Sequence, residues 1–377
     1  MKQKAAVLAL CFTTLIYLVL TVSVAGLLAA FPDVPERRVM LVLTLPNLTS
    51  VLGLFCVPLL APRVSQRAMA LGSLGALLLG GAVCLLFHDS LPVLLAAACL
   101  MGLSYGFLST LYPMLVNRLF DGRERIAVMG MGAGMLQLGR LASNLIGGFL
   151  GEIHWYWVYW TFGFVLIALV LCAAWLPAGI PAAEPGARDA GSLNWGGVWK
   201  LSAAAMLFAA SYFIISTHAS LYVEGYGLGT ASITGVLSAL SYGAAGITAA
   251  FYEQISRRTG KHTLAIAFLV IGAGYAAPGL RHSLVGACLA FLAGAVGIAL
   301  FTPWLMVAVS DAAGRREAPA AMAVVLTCVN VGYFLSPYLT NTLSSVLGDG
   351  GPASAFLWTG ILALLAGTVL MAIQKRN

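Results

Sequence analysis

Long apolar runs separated by short polar breaks occupy the chain from end to end. They lie near 5–30, 39–60, 68–87, 92–117, 126–150, 155–176, 198–222, 231–252, 262–280, 284–309, 319–346 and 353–374. Each is long enough for a helix rising about 1.5 Å per residue to cross a hydrocarbon core about 30 Å thick. Inside that core a backbone N–H or C=O finds no water, so an apolar run of this length predicts a helix. A closed barrel would need segments of about ten residues alternating apolar with polar, and none occur. The pattern predicts an all-α membrane protein of about twelve transmembrane helices.

The breaks organise these helices. The only extended polar stretch runs from Leu176 and Pro177 to Trp195 and contains Pro181, Pro185, Gly186 and Gly191. It divides the chain into a six-helix bundle at 1–176, a cytoplasmic linker at 177–197 and a second six-helix bundle at 198–377. An inside amino terminus places Lys2, Lys4, Arg63, Arg67, Arg118, Arg123, Arg125, Arg188, Lys200, Arg257, Arg258, Lys261, Arg315, Arg316, Lys375 and Arg376 on the cytoplasmic side. Only Arg37, Arg38 and Arg281 fall outside. The positive-inside rule selects this orientation, with both termini cytoplasmic, in the bacterial plasma membrane.

Composition agrees and excludes much. Of 377 residues, 60% are hydrophobic and only 9% charged, against about a quarter charged in soluble domains. A soluble enzyme, a nucleic-acid reader and a disordered chain are ruled out; the net charge of +7 follows from the cytoplasmic loops. The seven cysteines lie in apolar runs without a C-x-x-C pair, so no disulfide framework or metal site is expected. The first run exceeds the core of a signal peptide, about 7–15 residues, and reads as a retained helix. Without an ATP-binding motif or a cluster of His, Asp and Glu, neither an enzyme nor a cofactor is expected.

The two halves repeat. Displaced by 193 positions, the fifth run falls on the eleventh: Arg123-Glu124 meets Arg316-Glu317, Met129 meets Met322, Gly139 meets Gly332 and Ser143 meets Ser336. Arg63 to Arg67 similarly meets Arg257 to Lys261 at an offset of 194. Parallel repeats of this kind predict a transporter with substrate held between its halves.

Several motifs carry a family resemblance. Gly130, Gly139, Ser143, Asn144, Gly147 and Gly148 occupy the frame G-x8-G-x3-G-P-x2-G-G, with Ser-Asn in place of Gly-Pro. Gly102, Gly106 and Pro113 on the fourth run, Arg123-Glu124-Arg125 after it, and Trp155 opening the sixth complete the pattern. The whole chain thus resembles the major facilitator superfamily. The first motif is that family's antiporter signature, and its glycines also let helices pack closely. The family's second-to-third loop motif, G-x-L-a-D-R-x-G-R-K, is degenerate. Leu60, Arg63 and Arg67 fit, whereas Pro58, Pro62, Ser65 and Gln66 do not; the second copy keeps Arg258, Gly260 and Lys261, with Arg257 where the Asp would stand. Arg63 and Arg67 remain as candidate gating cations without the usual Asp latch. Ala98 replaces the helix-four Arg linked to coupling in proton-driven drug exporters.

Arg140 is the most informative residue. A cation near mid-span costs at least about 2.5–3.5 kcal/mol on a lipid face. Gln137, Arg140 and Asn144 share one helix face at i, i+3 and i+7, and the repeat mate presents Asn330, Tyr333 and Pro337. These stripes are expected to line a central cavity in which Arg140 offers paired donors to a carboxylate or another anion. The competing reading bonds Arg140 to helix-end carbonyls or buried polar groups. All thirteen Asp and Glu lie in loops or at span edges, so an anionic substrate would supply the missing charge. The family's cavity helices one, four, seven and ten add Tyr17, Tyr105, Tyr212 and Trp304, alongside Asn47, Tyr112 and Tyr242 as further mid-span candidates. Ordinary interhelical packing is the alternative for each. His218 is a candidate proton site or an interfacial polar group. The Trp155 to Trp160 cluster reads as an aromatic belt.

The expected function is secondary active transport of a small organic anion or neutral amphipathic metabolite by alternating access, with the antiporter-like fifth helix favouring efflux. A multidrug–proton antiporter is the alternative. The expected partners are the lipid bilayer, a small-molecule substrate, and a proton or counter-substrate; the protein is expected to act as a monomer without nucleic acid.

Overall fold

The computed structural model describes residues 1–61, 63–177 and 195–376, with side chains except at Gly122, Ile126, Ser310, 314–320 and 375–376. Pro62 and, in the linker, Glu184, Arg188 and Asp189 lie outside the described residues. So do the side chains of Arg315, Arg316 and Glu317. The chain divides into two compact units, Met1–Asp189 and Ala190–Asn377.

The first unit contains α1 (Lys2–Ala30), α2 (Leu41–Leu60), α3 (Gln66–Leu86), α4 (Leu91–Leu119), α5 (Gly122–Ile153) and α6 (Trp155–Trp175). In the second are α7 (Trp195–Gly225), α8 (Ala231–Ala250), α9 (Tyr252–Leu280), α10 (Leu284–Ala313), α11 (Ala321–Leu347) and α12 (Pro352–Gln374). Among the described residues, eleven of these are long and apolar enough to cross a membrane. The exception is α5, whose 32 residues suffice in length but whose Gln137, Arg140 and Asn144 dilute the apolar run. One connection differs from expectation. Helical backbone continues from Leu284 to Leu347 through the polar break between α10 and α11, where Ala312, Ala313, Ala318 and the charged residues between them are good helix formers.

Lipid explains the outward faces. Leu365, Val369 and Ile373 recur every four residues along α12 and are 58%, 55% and 52% exposed. In water such a stripe would be a liability, whereas acyl chains solvate it at no cost.

Helices approach closely where side chains are absent. A Cβ on Gly106 of α4 would lie 2.9 Å from the Cα of Gly53 on α2 and closer still to the Ser50 carbonyl oxygen. Gly102 meets the Pro46 backbone in the same seam. In the second unit, Gly272 of α9 and Gly360 of α12 form a similar crossing, with a Gly360 Cβ placed 2.9 Å from Gly272 O.

Among the described residues four of these helices are interrupted. α1 is α-helical over Lys2–Thr13, 3₁₀ over Ile16–Ser23 and α-helical again over Val24–Ala30. α6 opens with a 3₁₀ stretch, Trp155–Phe162. α7 breaks at Phe213 between Trp195–Tyr212 and Ile214–Gly225. α9 runs as α-helix over Tyr252–Thr259, 3₁₀ over Gly260–His262 and α-helix again over Thr263–Leu280, with Gly260 at a positive φ of 51°. Gly163 stands at the α6 junction, whereas neither Gly nor Pro stands at the breaks of α1 and α7. Threonine hydroxyls bond back onto nearby carbonyls: Thr14 to Leu10 at 2.8 Å, Thr21 to Leu18 at 2.7 Å, Thr161 to Val158 at 2.7 Å and Thr217 to Ile214 at 3.3 Å. Such back-bonding competes with the helical ladder, but Thr110 to Gly106 O and Thr327 to Ala323 O make it in unbroken helix, so it accompanies the breaks without accounting for them.

Candidate functional site

Four helices of the first unit bring polar groups together. Tyr17, in the 3₁₀ stretch of α1, donates its hydroxyl hydrogen bond to Asn47 Oδ1 on α2 at 3.1 Å. Its ring lies 5.2 Å from that of Tyr105 on α4, tilted by 40°. The Arg140 guanidinium on α5 acts electrostatically on the Tyr105 hydroxyl. Tyr17 and Asn47 are buried, while Tyr105, Arg140 and Gln137 are half-buried and Asn144 is buried. Burial makes this group expensive unless its polar atoms are partnered, and the Tyr17–Asn47 bond meets part of that demand. The result is a half-buried cation in electrostatic reach of the Tyr105 hydroxyl, whose ring meets that of Tyr17. Such a surface can bind an anion by charge and an organic body by ring contact.

The α5 glycines bring that helix onto its neighbours. A Cβ on Gly139 would overlap the Phe12 carbonyl of α1, and one on Gly147 would meet Val19. The Ser143 hydroxyl bonds to Gly139 O within the helix, and Gly148 is buried. Gly130 stands apart from this packing: it is exposed, with nothing among the described residues within 4 Å of an added Cβ. Tyr112 ties α4 to α5 by donating to Met129 O at 2.9 Å and Val128 O at 3.1 Å.

The loop cations divide. Arg67 Nη2 donates to Ala173 O at 2.5 Å, so it satisfies a carbonyl in the last turn of α6, where a cation also meets the negative end of the helix dipole. Arg63 is exposed. Arg67→Ala is expected to lower stability by about 1 kcal/mol, while Arg63→Ala leaves it unchanged; thermal unfolding in detergent distinguishes the two.

In the second unit the predicted aromatics belong to one chain of rings. Phe208 stacks on Phe301 at 4.1 Å and 12°, and on Tyr212 at 6.4 Å and 6°. Trp304 joins through Phe301 at 6.5 Å, and Tyr333 lies 6.4 Å from Tyr212 and 5.0 Å from Phe213. Asn330 donates to Leu326 O in its own helix at 2.9 Å. His218 bonds to Asn341 Oδ1 at 2.7 Å and Thr217 Oγ1 at 2.8 Å.

Sequence reasoning missed Phe208, Phe213, Phe301 and Asn341. The phenylalanines look like any apolar residue. Asn341 carried a signal: it continues the Asn330, Tyr333, Pro337 stripe at i+11. The Trp155 cluster is a set of ring contacts, with His88 stacked on Tyr156 at 3.6 Å and 9°. Among the described residues, no group of three or more His, Cys, Asp or Glu is placed to hold a metal. Hollows in the first unit, between α3 and α4 at Leu79 and Val93 and beside α1 at Leu8 and Phe12, have apolar linings and contain none of the predicted site residues.

Comparison with known proteins places this geometry in context. The family model described as Major Facilitator Superfamily matches residues 5–337. Protein TsgA of Salmonella schwarzengrund and of Salmonella arizonae are each 26% identical over 149 residues, which is 38% of this chain and 38% of each relative. The chain therefore matches well under half the length of these curated relatives. Among solved structures, a mutant of the nucleoside transporter NupG has a TM-score of 0.79 at 12% identity, covering 98% of this chain and 99% of that one. An auto-inhibited POT family peptide transporter has a TM-score of 0.77 at 14% identity, covering 100% and 97%. At such identities the likeness establishes the fold.

Proposed function

The chain belongs to the Major Facilitator Superfamily, and from that premise we propose that it is a secondary active transporter of a small organic anion, with neutral amphipathic metabolites as the less favoured cargo. Alternating access moves the substrate, both termini are cytoplasmic, the membrane is the bacterial plasma membrane, and the protein works as a monomer. The antiporter-like α5 favours export against a proton or counter-substrate. In this reading the protein is not an enzyme.

The observation that carries the anion is Arg140, a cation on the polar face of α5 shared with Gln137 and Asn144, with the Tyr105 hydroxyl in its field. A cation kept within a membrane span is costly and is repaid when it meets a negative ligand at close range. Tyr105 lies in the field of that charge and its ring meets that of Tyr17, which suits a carboxylate or phosphate carried on an organic body. A cationic drug would raise the electrostatic cost.

A thermal-shift screen of the purified protein tests this reading. Organic carboxylates and phosphates are expected to raise the unfolding midpoint, since a ligand at a hundred times its Kd stabilises by about 2.7 kcal/mol. Stabilisation by lipophilic cations, with anions inert, would overturn the anion reading and favour a multidrug–proton antiporter.

A further inference from the structure

We infer that His218 is a proton-binding site built into the break of α7, and that its charge state is transmitted to the contact between α7 and α11. The imidazole is buried, at 2% exposure. Its Nε2 faces Asn341 Oδ1 at 2.7 Å. An amide oxygen only accepts, so Nε2 carries a hydrogen in both charge states. Nδ1 faces the Thr217 hydroxyl at 2.8 Å, and a hydroxyl can donate or accept.

That hydroxyl has other acceptors within reach, Ile214 O at 3.3 Å and Phe213 O at 3.4 Å. With a neutral ring, Thr217 donates to Nδ1. When a proton binds at Nδ1, the new N–H donates to Thr217 Oγ1, and the hydroxyl hydrogen turns to one of the two carbonyls. One proton is gained, one hydroxyl rotates, and every bond in the relay is replaced. A histidine held by two fixed acceptors or two fixed donors would lack this second state.

The relay ends at the helix break. Phe213 O is the carbonyl at which α7 is interrupted, and it already accepts from Ser216 N at 2.9 Å. The Phe213 ring touches Tyr333 at 5.0 Å, and Asn341 stands eight residues beyond Tyr333 on the same helix. A single proton therefore acts on two contacts between α7 and α11.

Few charges surround the site. Glu224, on the same half-helix, accepts from Ser220 Oγ at 2.7 Å. Tyr222 is engaged with Pro278 O and Arg281 O, each at 3.2 Å, and with Ser283 N at 3.1 Å. His282 meets Tyr226 at 4.0 Å. The helices packed against Ile214–Gly225 contribute the titratable Tyr333, Tyr338 and Cys328 from α11, Cys288 from α10 and Tyr242 from α8. Their charged residues, Asp311, Arg315, Arg316, Glu317, Lys375 and Arg376, belong to the α10–α11 connection and the end of α12, and Lys200 to the first turns of α7. Protonation thus adds a charge to a region of the sequence almost without one. On the transport reading above, the coupling ion is a proton.

The test needs no substrate, so its result is independent of the Arg140 reading. Histidine-labelled protein in lipid nanodiscs is followed by nitrogen NMR while hydrogen exchange of residues 214–225 is measured across about pH 5 to 8, the range in which imidazoles change charge. The His218 signal, identified by its loss in His218→Gln, is expected to titrate, and exchange in 214–225 to change severalfold over the same interval. His218→Gln should remove the exchange response. Thr217→Val should preserve the titration and lose the response. If the glutamine variant does not fold, Asn341→Ala identifies the signal by displacing it. A His218 ring that keeps one state throughout, or one that titrates while exchange stays constant, overturns the inference.

Discussion

Replacing Arg140 with Ala is expected to abolish counterflow of an anionic substrate in proteoliposomes while leaving a folded, monodisperse protein. Two charge-assisted hydrogen bonds to a carboxylate contribute about 3 kcal/mol, equivalent to roughly a hundredfold in affinity. Arg140→Lys keeps the charge but loses the planar pair of donors, so an intermediate loss is expected. The same substitutions should act oppositely on the empty protein. Removing a guanidinium from a span relieves a desolvation cost of at least about 2.5–3.5 kcal/mol, so the unfolding midpoint of Arg140→Ala should be unchanged or higher. Anion-induced stabilisation should vanish with it. That pairing separates a binding cation from a structural one, whose removal would lower stability and spare transport. Unaltered anion counterflow in Arg140→Ala would remove the residue from the mechanism.

Gly106→Leu is expected to prevent folding of the first unit. A Cβ there would fall against the Ser50 carbonyl and 2.9 Å from Gly53 Cα. These are backbone atoms, which cannot turn aside as a flexible side chain can. Overpacking a core ordinarily costs about 1–3 kcal/mol; forcing α2 from α4 along their seam should exceed that and leave aggregated protein on size exclusion. Gly75→Leu is the matched control, because nothing lies within 4 Å of a Cβ at Gly75 on α3. Its elution and thermal midpoint should match the parent. Equal behaviour of the two variants would show that the close approach of α2 and α4 is not limiting.

What could be read from the sequence divides along a physical line. Helix number and span followed from lipid, a uniform solvent that acts on each apolar run separately; even the exception, α5, was marked by the polar residues that make it interesting. Arg140 stood out for the same reason: a guanidinium within an apolar run is anomalous whatever its neighbours. Contacts between helices depend on which faces meet, and that was only partly legible. Gly139 and Gly147 lie against α1 whereas Gly130, in the same motif, meets none of the described residues, since a motif gives spacing along one helix and nothing of the neighbour's position.

By itself, the chain's chemistry determined an all-helical membrane protein with one misplaced cation, because burial in hydrocarbon penalises charge and unpaired backbone residue by residue. Tertiary structure alone decided that Tyr17 bonds to Asn47, that Tyr105 lies in the field of Arg140, and that His218 faces Asn341. Those pairings join residues tens to more than a hundred positions apart, and a hydrogen bond exists only when two atoms arrive within about 3 Å of each other, a condition no local pattern can impose.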